Sequence, residues 1–178
     1  FYGSLNLPVC NYIGHEAFID SIFSGSLNLP VCTYVDSMAF YNSNFTGVFY
    51  CSNLQAVGYN AFRNSVFTGD FNCPNLTTVG DGAFYNSNFS GSLSLPSCTY
   101  VGTNAFQFSN FSGSLNLPVC RFICDGAFLN SNFTQITIGA NAVLGSNCIG
   151  AHSVEFINDY AANNKLAGTY VWDEVSGH

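Results

Sequence analysis

Charge is what this chain has least of. Only 7% of its 178 residues are Asp, Glu, Lys or Arg, against roughly a quarter in an average soluble domain. Arg63, Arg121 and Lys165 are its three fixed cations, and they face ten acidic residues for a net charge of −7. Nucleic acid needs several Lys or Arg to neutralise phosphates, and an anionic membrane surface needs a basic patch, so neither is an expected partner. Long apolar runs are missing too. Gly, Ser or Asn breaks each one well short of the roughly 20 residues that span a bilayer, and membrane insertion is not expected. Catalytic signatures are equally scarce. The three His stand apart at 15, 152 and 178. His-Glu-x-x-His, Gly-x-Ser-x-Gly and phosphate-loop patterns do not occur. The expectation is a protein without catalytic residues, resident metal or cofactor.

What fills the chain is aromatic and neutral-polar. With 18 Phe, 10 Tyr and 48% hydrophobic residues, it has the means to build a core that a disordered chain lacks. Its polarity comes from Ser, Thr and Asn. A fixed period organises all of this. Ala-Phe recurs at 17, 39, 61, 83, 105 and 127, always 22 residues apart. The same step carries a second Phe series (1, 23, 45, 67, 89, 111, 133), a Gly series (3 to 113) and a Pro series in which Ser52 is the one exception.

Within a unit, Phe23-Ser24-Gly25-Ser26-Leu27-Asn28-Leu29 alternates in period two, the pattern of a half-buried strand. Pro30 ends it, having no N–H to give to a ladder. Cys32, Val35, Ala39 and Phe40 follow at spacings of three and four, which suit an inward-packing turn of helix or 3-10 helix. Asn42-Ser43-Asn44 supplies turn chemistry back to the next strand. Asp36, Asp81 and Asp125 stand at the Gly turn before Ala-Phe and are expected to cap it. One unit cannot bury its own apolar face, whereas stacked units can. The fold class expected is a repeat solenoid, with a parallel β-sheet on one face and short helical or 3-10 turns on the other. Residues 1–133 form six units, and 134–178 form a shortened unit and a C-terminal cap. In that closing part Ser153–Ile157 reads as a last strand, the stretch 159–167 as a short helix or turn, and the stretch 168–173 as an edge strand. Asp173-Glu174 reads as a solvated tail. The chain opens at Phe1 in mid-repeat without a cap, so upstream repeats, or end-to-end stacking of the first coil on another molecule, are expected.

These residues resemble a known family. Asn75-Leu76-Thr77-Thr78-Val79-Gly80-Asp81-Gly82-Ala83-Phe84, with Gln55–Phe62 and Ile13–Phe18, is similar to BspA-like leucine-rich repeats of the Treponema pallidum type, whose units carry a Leu-x-x-Ile-Gly-x-x-Ala-Phe pattern. The resemblance covers about residues 1–145. It departs in unit length, 22 where the family more often has 23, and in Ser43, Ser65, Ser87, Ser109 and Ser131, which stand where the family often has Cys. It implies a secreted or surface-displayed protein, several relatives being adhesins, and it brings no catalytic residue with it.

The eight cysteines are read by phase. Cys10, Cys32, Cys98 and Cys120 share one inward position, where Leu54 and Leu76 stand in the middle units. In those units Cys51 and Cys73 replace an inward leucine. This exchange favours free thiols acting as small core hydrophobes. The alternative is bridging of the neighbouring-coil pairs 10/32, 51/73 and 98/120, which adjacent coils bring within disulfide range. Cys120 and Cys124 lack a matching His pair and are not expected to bind metal.

The outward strand positions give a candidate binding patch. Most coils show Ser or Thr, Ser, then Asn or Ser (24/26/28, 90/92/94, 112/114/116). The two central coils break the pattern with Val48, Tyr50, Asp70 and Asn72. An exposed Tyr beside Val and Asp in a bland field is the kind of anchor interfaces favour. A second stripe, Tyr12, Tyr34, Tyr100 and Phe122 with Ala56 and Thr78 between, is either packing between coils or a stacking platform for sugars, and ring exposure separates the two. The functional expectation is an extracellular or cell-surface binding module for a protein or glycan partner. The alternative is a structural spacer in a surface or virion appendage.

Overall fold

The computed structural model describes residues 3–172. Each 22-residue unit makes one coil, and equal phases become columns. Phe23 lies on Phe45 and Phe45 on Phe67, with ring centroids 5.0 and 5.4 Å apart. The phenylalanines of Ala-Phe form a second file, Phe18-Phe40-Phe62-Phe84-Phe106-Phe128, stacked at 5.0–5.3 Å. Coils about 4.8 Å apart favour a parallel stack for the in-register rings of these two files. Where the two files meet, the rings turn edge to face, as between Phe40 and Phe45 at 71°, which suits their quadrupoles. From Phe40 to Phe133 both files are fully buried, and burial stabilises by roughly 1.5–3 kcal/mol per ring.

Two faces of the coil carry parallel sheet. On the expected face, Leu5–Asn6, Leu27–Asn28 and Phe49–Tyr50 pair in register. Thr68–Gly69, Asn88–Ser94, Asn110–Leu117 and Gln135–Ile138 form a second group, which Gly168–Val171 closes antiparallel. These strands alternate as expected, although most are shorter than the seven residues the pattern suggested. The other face holds a sheet the pattern did not announce. Seven two-residue strands, from Tyr12–Ile13 to Val143–Leu144, pair coil by coil without a gap. Val35, placed in a helical turn by its spacing, is the buried half of the strand Tyr34–Val35.

The expected helical or 3-10 pieces take the form of tight turns. Ala39, Tyr41 and Ser43 donate to the carbonyls three residues back (Asp36, Met38, Phe40), as in a 3-10 turn. The intervening N–H groups of Met38, Phe40 and Asn42 donate to Tyr59, Ala61 and Arg63 of the next coil. A helix could not divide its donors this way. The division requires left-handed backbone at Met38 and Asn42, both at φ +55°, and the same two columns run through Asn60, Asn104, Asn64, Asn86 and Asn130. Asn tolerates that conformation better than most residues. Its side chains then form a ladder, with Asn42 donating to Asp20, Asn64 to Asn42 and Asn86 to Asn64.

Residues 135–144 add one more coil to both sheets. The expected strand at 153–157 is instead the start of a helix, Ser153–Ala162. Its buried residues, Ser153, Phe156 and Tyr160, follow helical spacing. Tyr160 fixes the helix over the last coil, donating to the Gly139 carbonyl at 2.7 Å and accepting from the Ala142 N–H at 2.8 Å. Asp173-Glu174, the expected solvated tail, lies outside the described residues.

Candidate functional site

The four sequence-derived site residues meet at one place. Val48 and Tyr50 point outward from the third coil, with Phe49 buried between them. Asp70 and Asn72 point outward from the fourth, on either side of buried Phe71. Together with Asn28, Pro30, Cys51 and Ser52 they line a depression of about 290 Å³. Tyr50 is 55% exposed.

What the sequence did not reveal is that the sheet is interrupted here. No strand pairing joins Phe49–Tyr50 to the fourth coil. Among the described residues, the backbone groups of Asp70, Phe71 and Asn72 make no hydrogen bond to the backbone of a neighbouring coil. The layer beneath also differs here. Other coils place Leu27, Leu93 or Leu115 in it, while the central two place Phe49 and Phe71, whose centroids are 5.9 Å apart and tilted by 43°.

The seam is bridged covalently. Cys51 and Cys73 form a disulfide with Cα atoms 5.6 Å apart, which corrects the expectation of free thiols for this pair. The correction has a physical reason: these two occupy the strand layer at the seam, where no ladder bond sets their distance. Cys10, Cys32, Cys98 and Cys120 remain free and donate to the carbonyls two residues on. Burial pushes the Cys32 thiol up and the Cys148 thiol up to about 12, so neither is a ready nucleophile.

Many outward side chains on the rest of the ladder bond from coil to coil. Ser4 accepts from the Ser26 N–H, Ser26 from the Val48 N–H and Ser92 from the Ser114 N–H. Asn28 donates to Asn6 and Asn116 to Ser94. Among the described residues, the Tyr50 hydroxyl, the Asp70 carboxylate and the Asn72 amide are outside every such pair. A second depression, bounded by Asp70, Phe71, Asn72, Ser92 and Ser94, lies on the far side of the fourth coil.

The aromatic stripe resolves into two pairs. Tyr12 and Tyr34 stack at 5.6 Å and 14°, and Tyr100 lies 6.4 Å from Phe122. Tyr12 and Phe122 are about half exposed, but the Tyr12 and Tyr34 faces are turned on each other. Packing between coils is the arrangement observed for that pair. Tyr12 donates to Asp36 at 2.7 Å, and Asp36 also accepts from the Ser37 N–H. These bonds, the tyrosine's first, hold its carboxyl below the usual range. Asp81 and Asp125 accept from the Thr103 and Ser146 N–H groups one coil on, so they tie coils together instead of capping their own turns. Among the described residues no cluster of three metal-ligating side chains forms, and no helix is long and apolar enough to cross a membrane.

Comparison with known proteins agrees with the coil structure. No curated protein and no solved structure matches the chain. The family profile described as BspA type leucine rich repeat region does match, in six copies, over residues 4–68 and 33–155. A match on that scale, on coils whose phases stack as the repeat requires, places the chain in the BspA-type leucine-rich repeat family.

Proposed function

We propose that this protein is a non-catalytic binding module, secreted or displayed at a cell surface in the manner of an adhesin. It engages a protein or glycan through Val48, Tyr50, Asp70 and Asn72. The family is generally one of binding scaffolds, which supports the class of function. One observation supports the location most: Tyr50, Asp70 and Asn72, whose side chains bond to no neighbouring coil, lie together in one depression where the ladder of outward residues changes character. Solvated polar groups with no internal partner can bond a ligand without breaking a hydrogen bond inside the protein. In this reading the 22-residue units supply the rod, and the shortened unit with the helix Ser153–Ala162 closes it.

The test is to probe arrays of glycans and extracellular-matrix proteins with the intact rod and with Tyr50→Ser and Asp70→Ser variants. Binding that both substitutions weaken supports the reading, and binding that neither changes removes it. A spacer is the second reading, favoured by the uniform Ser and Asn ladders of the outer coils. End-to-end association through the first coil would accompany it. Concentration-dependent sedimentation tests that association.

A further inference from the structure

We propose that the seam between the third and fourth coils is a pocket for a neutral sugar residue, with Tyr50 as its apolar wall and Asp70 and Asn72 as its hydrogen-bonding groups. This deepens the binding function proposed above and rests on it. Four observations narrow the ligand class.

The first is the mixture of groups. The Asp70 carboxylate only accepts, the Asn72 amide donates and accepts, and both residues, which line the same gap, make no backbone hydrogen bond to the backbone of a neighbouring coil. A ligand that satisfies all of them carries several groups that both donate and accept, which is the property of hydroxyls. The second is geometry. Inserting an extended peptide strand would require the flanking strands to stand roughly 9.6 Å apart, two strand spacings. The Cys51–Cys73 bridge holds their Cα atoms at 5.6 Å, so strand addition within the gap is excluded. The third is charge. Arg63, Arg121 and Lys165 are the chain's only Lys and Arg residues, and none lines the depression. An acidic sugar, phosphate or sulfate would meet Asp70 with no counter-charge. The fourth is size and shape. About 290 Å³ sits at the small end of ligand clefts, roughly 300–1,000 Å³. That suits one or two sugar rings, whereas a protein partner covers on the order of 800 Å² per side. The exposed Tyr50 ring and Val48 offer an apolar surface for the C–H face of a pyranose.

The experiment is an NMR titration of the isotope-labelled, oxidised chain with methyl glycosides of glucose, galactose, mannose and N-acetylglucosamine. Sialic acid and glucuronic acid form the acidic arm. The expected result is saturable shifts of amides in Val48–Ser52 and Asp70–Cys73 for at least one neutral sugar, with affinity in the millimolar range usual for so few contacts, about 4 kcal/mol. Tyr50→Ala and Asp70→Ala each weaken it about tenfold or more, and Tyr59→Ala, an exposed ring outside the depression, leaves it unchanged. Retained amide dispersion in the variants shows that they fold. Shifts by no neutral sugar, shifts confined to other coils, tighter binding of the acidic arm, or equal binding by the two site variants would each overturn the proposal. If a macromolecular partner is lost in Tyr50→Ser while neutral sugars give no shift, the sugar pocket fails and the broader binding function stands. If neither is affected, both fail.

Discussion

Two columns of single residues show how much depends on one hydroxyl. Asp36 is held below its ordinary titration range, first by the Tyr12 hydroxyl and then by the Ser37 N–H. The folded chain therefore binds that proton less tightly than the unfolded one. The resulting stabilisation is complete above the normal carboxylate range, near pH 4, and is lost as pH falls through the folded value. The same bond raises Tyr12, whose contribution is present below about pH 10 and lost at more alkaline pH. In Tyr12→Phe the Asp36 midpoint, followed by carboxylate NMR, should move upward, and an unmoved midpoint would show that the hydroxyl is not the main cause. The buried serine column makes a second contrast. The Ser65 hydroxyl donates to Ser43 at 2.8 Å, while Ser87, Ser109 and Ser131 are buried without a hydrogen-bond partner. Ser65→Ala should cost about 1 kcal/mol, and Ser87→Ala should be neutral or stabilising by a similar amount. Thermal unfolding of the two variants side by side is the check.

At the scale of the element, the strand face is governed by how closely coils approach. A Cβ on Gly47 would lie 2.7 Å from the Ser26 nitrogen and 2.9 Å from the Gly25 carbonyl carbon. Backbone at that distance cannot yield as a side chain could. Gly47→Ala should destabilise by about 1–3 kcal/mol through overpacking, seen as a lower denaturant midpoint at unchanged m-value. The seam lacks the strand ladder, and there the Cys51–Cys73 disulfide joins the two coils. Replacing both Cys51 and Cys73 with Ser removes a cross-link between residues 22 apart, a loss of about 2–4 kcal/mol. A melting temperature equal to that of the oxidised protein would show that the bridge is not needed to hold the seam. Alternating residues made the strands recognisable. The second sheet was not, because two-residue strands are too short to show a period, and inward spacings of three and four are shared by helices and by tight turns.

Across the whole molecule, each coil touches only its neighbours, so stability is close to a sum of unit and interface terms. One interface has lost its ladder on one face and keeps it on the other, where Ala56–Val57 pairs with Thr78–Val79. Amides of residues 70–72 should exchange with solvent about 100-fold faster than those of Tyr100 and Val101, a local opening cheaper than global unfolding. Equal protection would mean that the two faces of the fourth coil open together. At the far end Tyr160 satisfies a carbonyl and an N–H of the last coil. Tyr160→Phe leaves both buried groups unpaired and should cost about 1–3 kcal/mol, about 2–4 °C in melting temperature per kcal/mol.

The sequence by itself determined the coil, its 22-residue pitch, the inward files of Phe and the surface coils that differ from the rest. Repetition makes these legible, because any residue type that keeps its phase must keep its place in a stack. Val48, Tyr50, Asp70 and Asn72 stood out for the same reason, as departures from a column. Tertiary structure alone decided that the sheet parts between them, that Cys51 joins Cys73 while Cys98 and Cys120 stay free, and that 153–157 is helix. Each of these depends on a distance between residues 20 or more positions apart or on a surface another coil presents, and the order of residues along a chain does not contain those distances until the coils are packed.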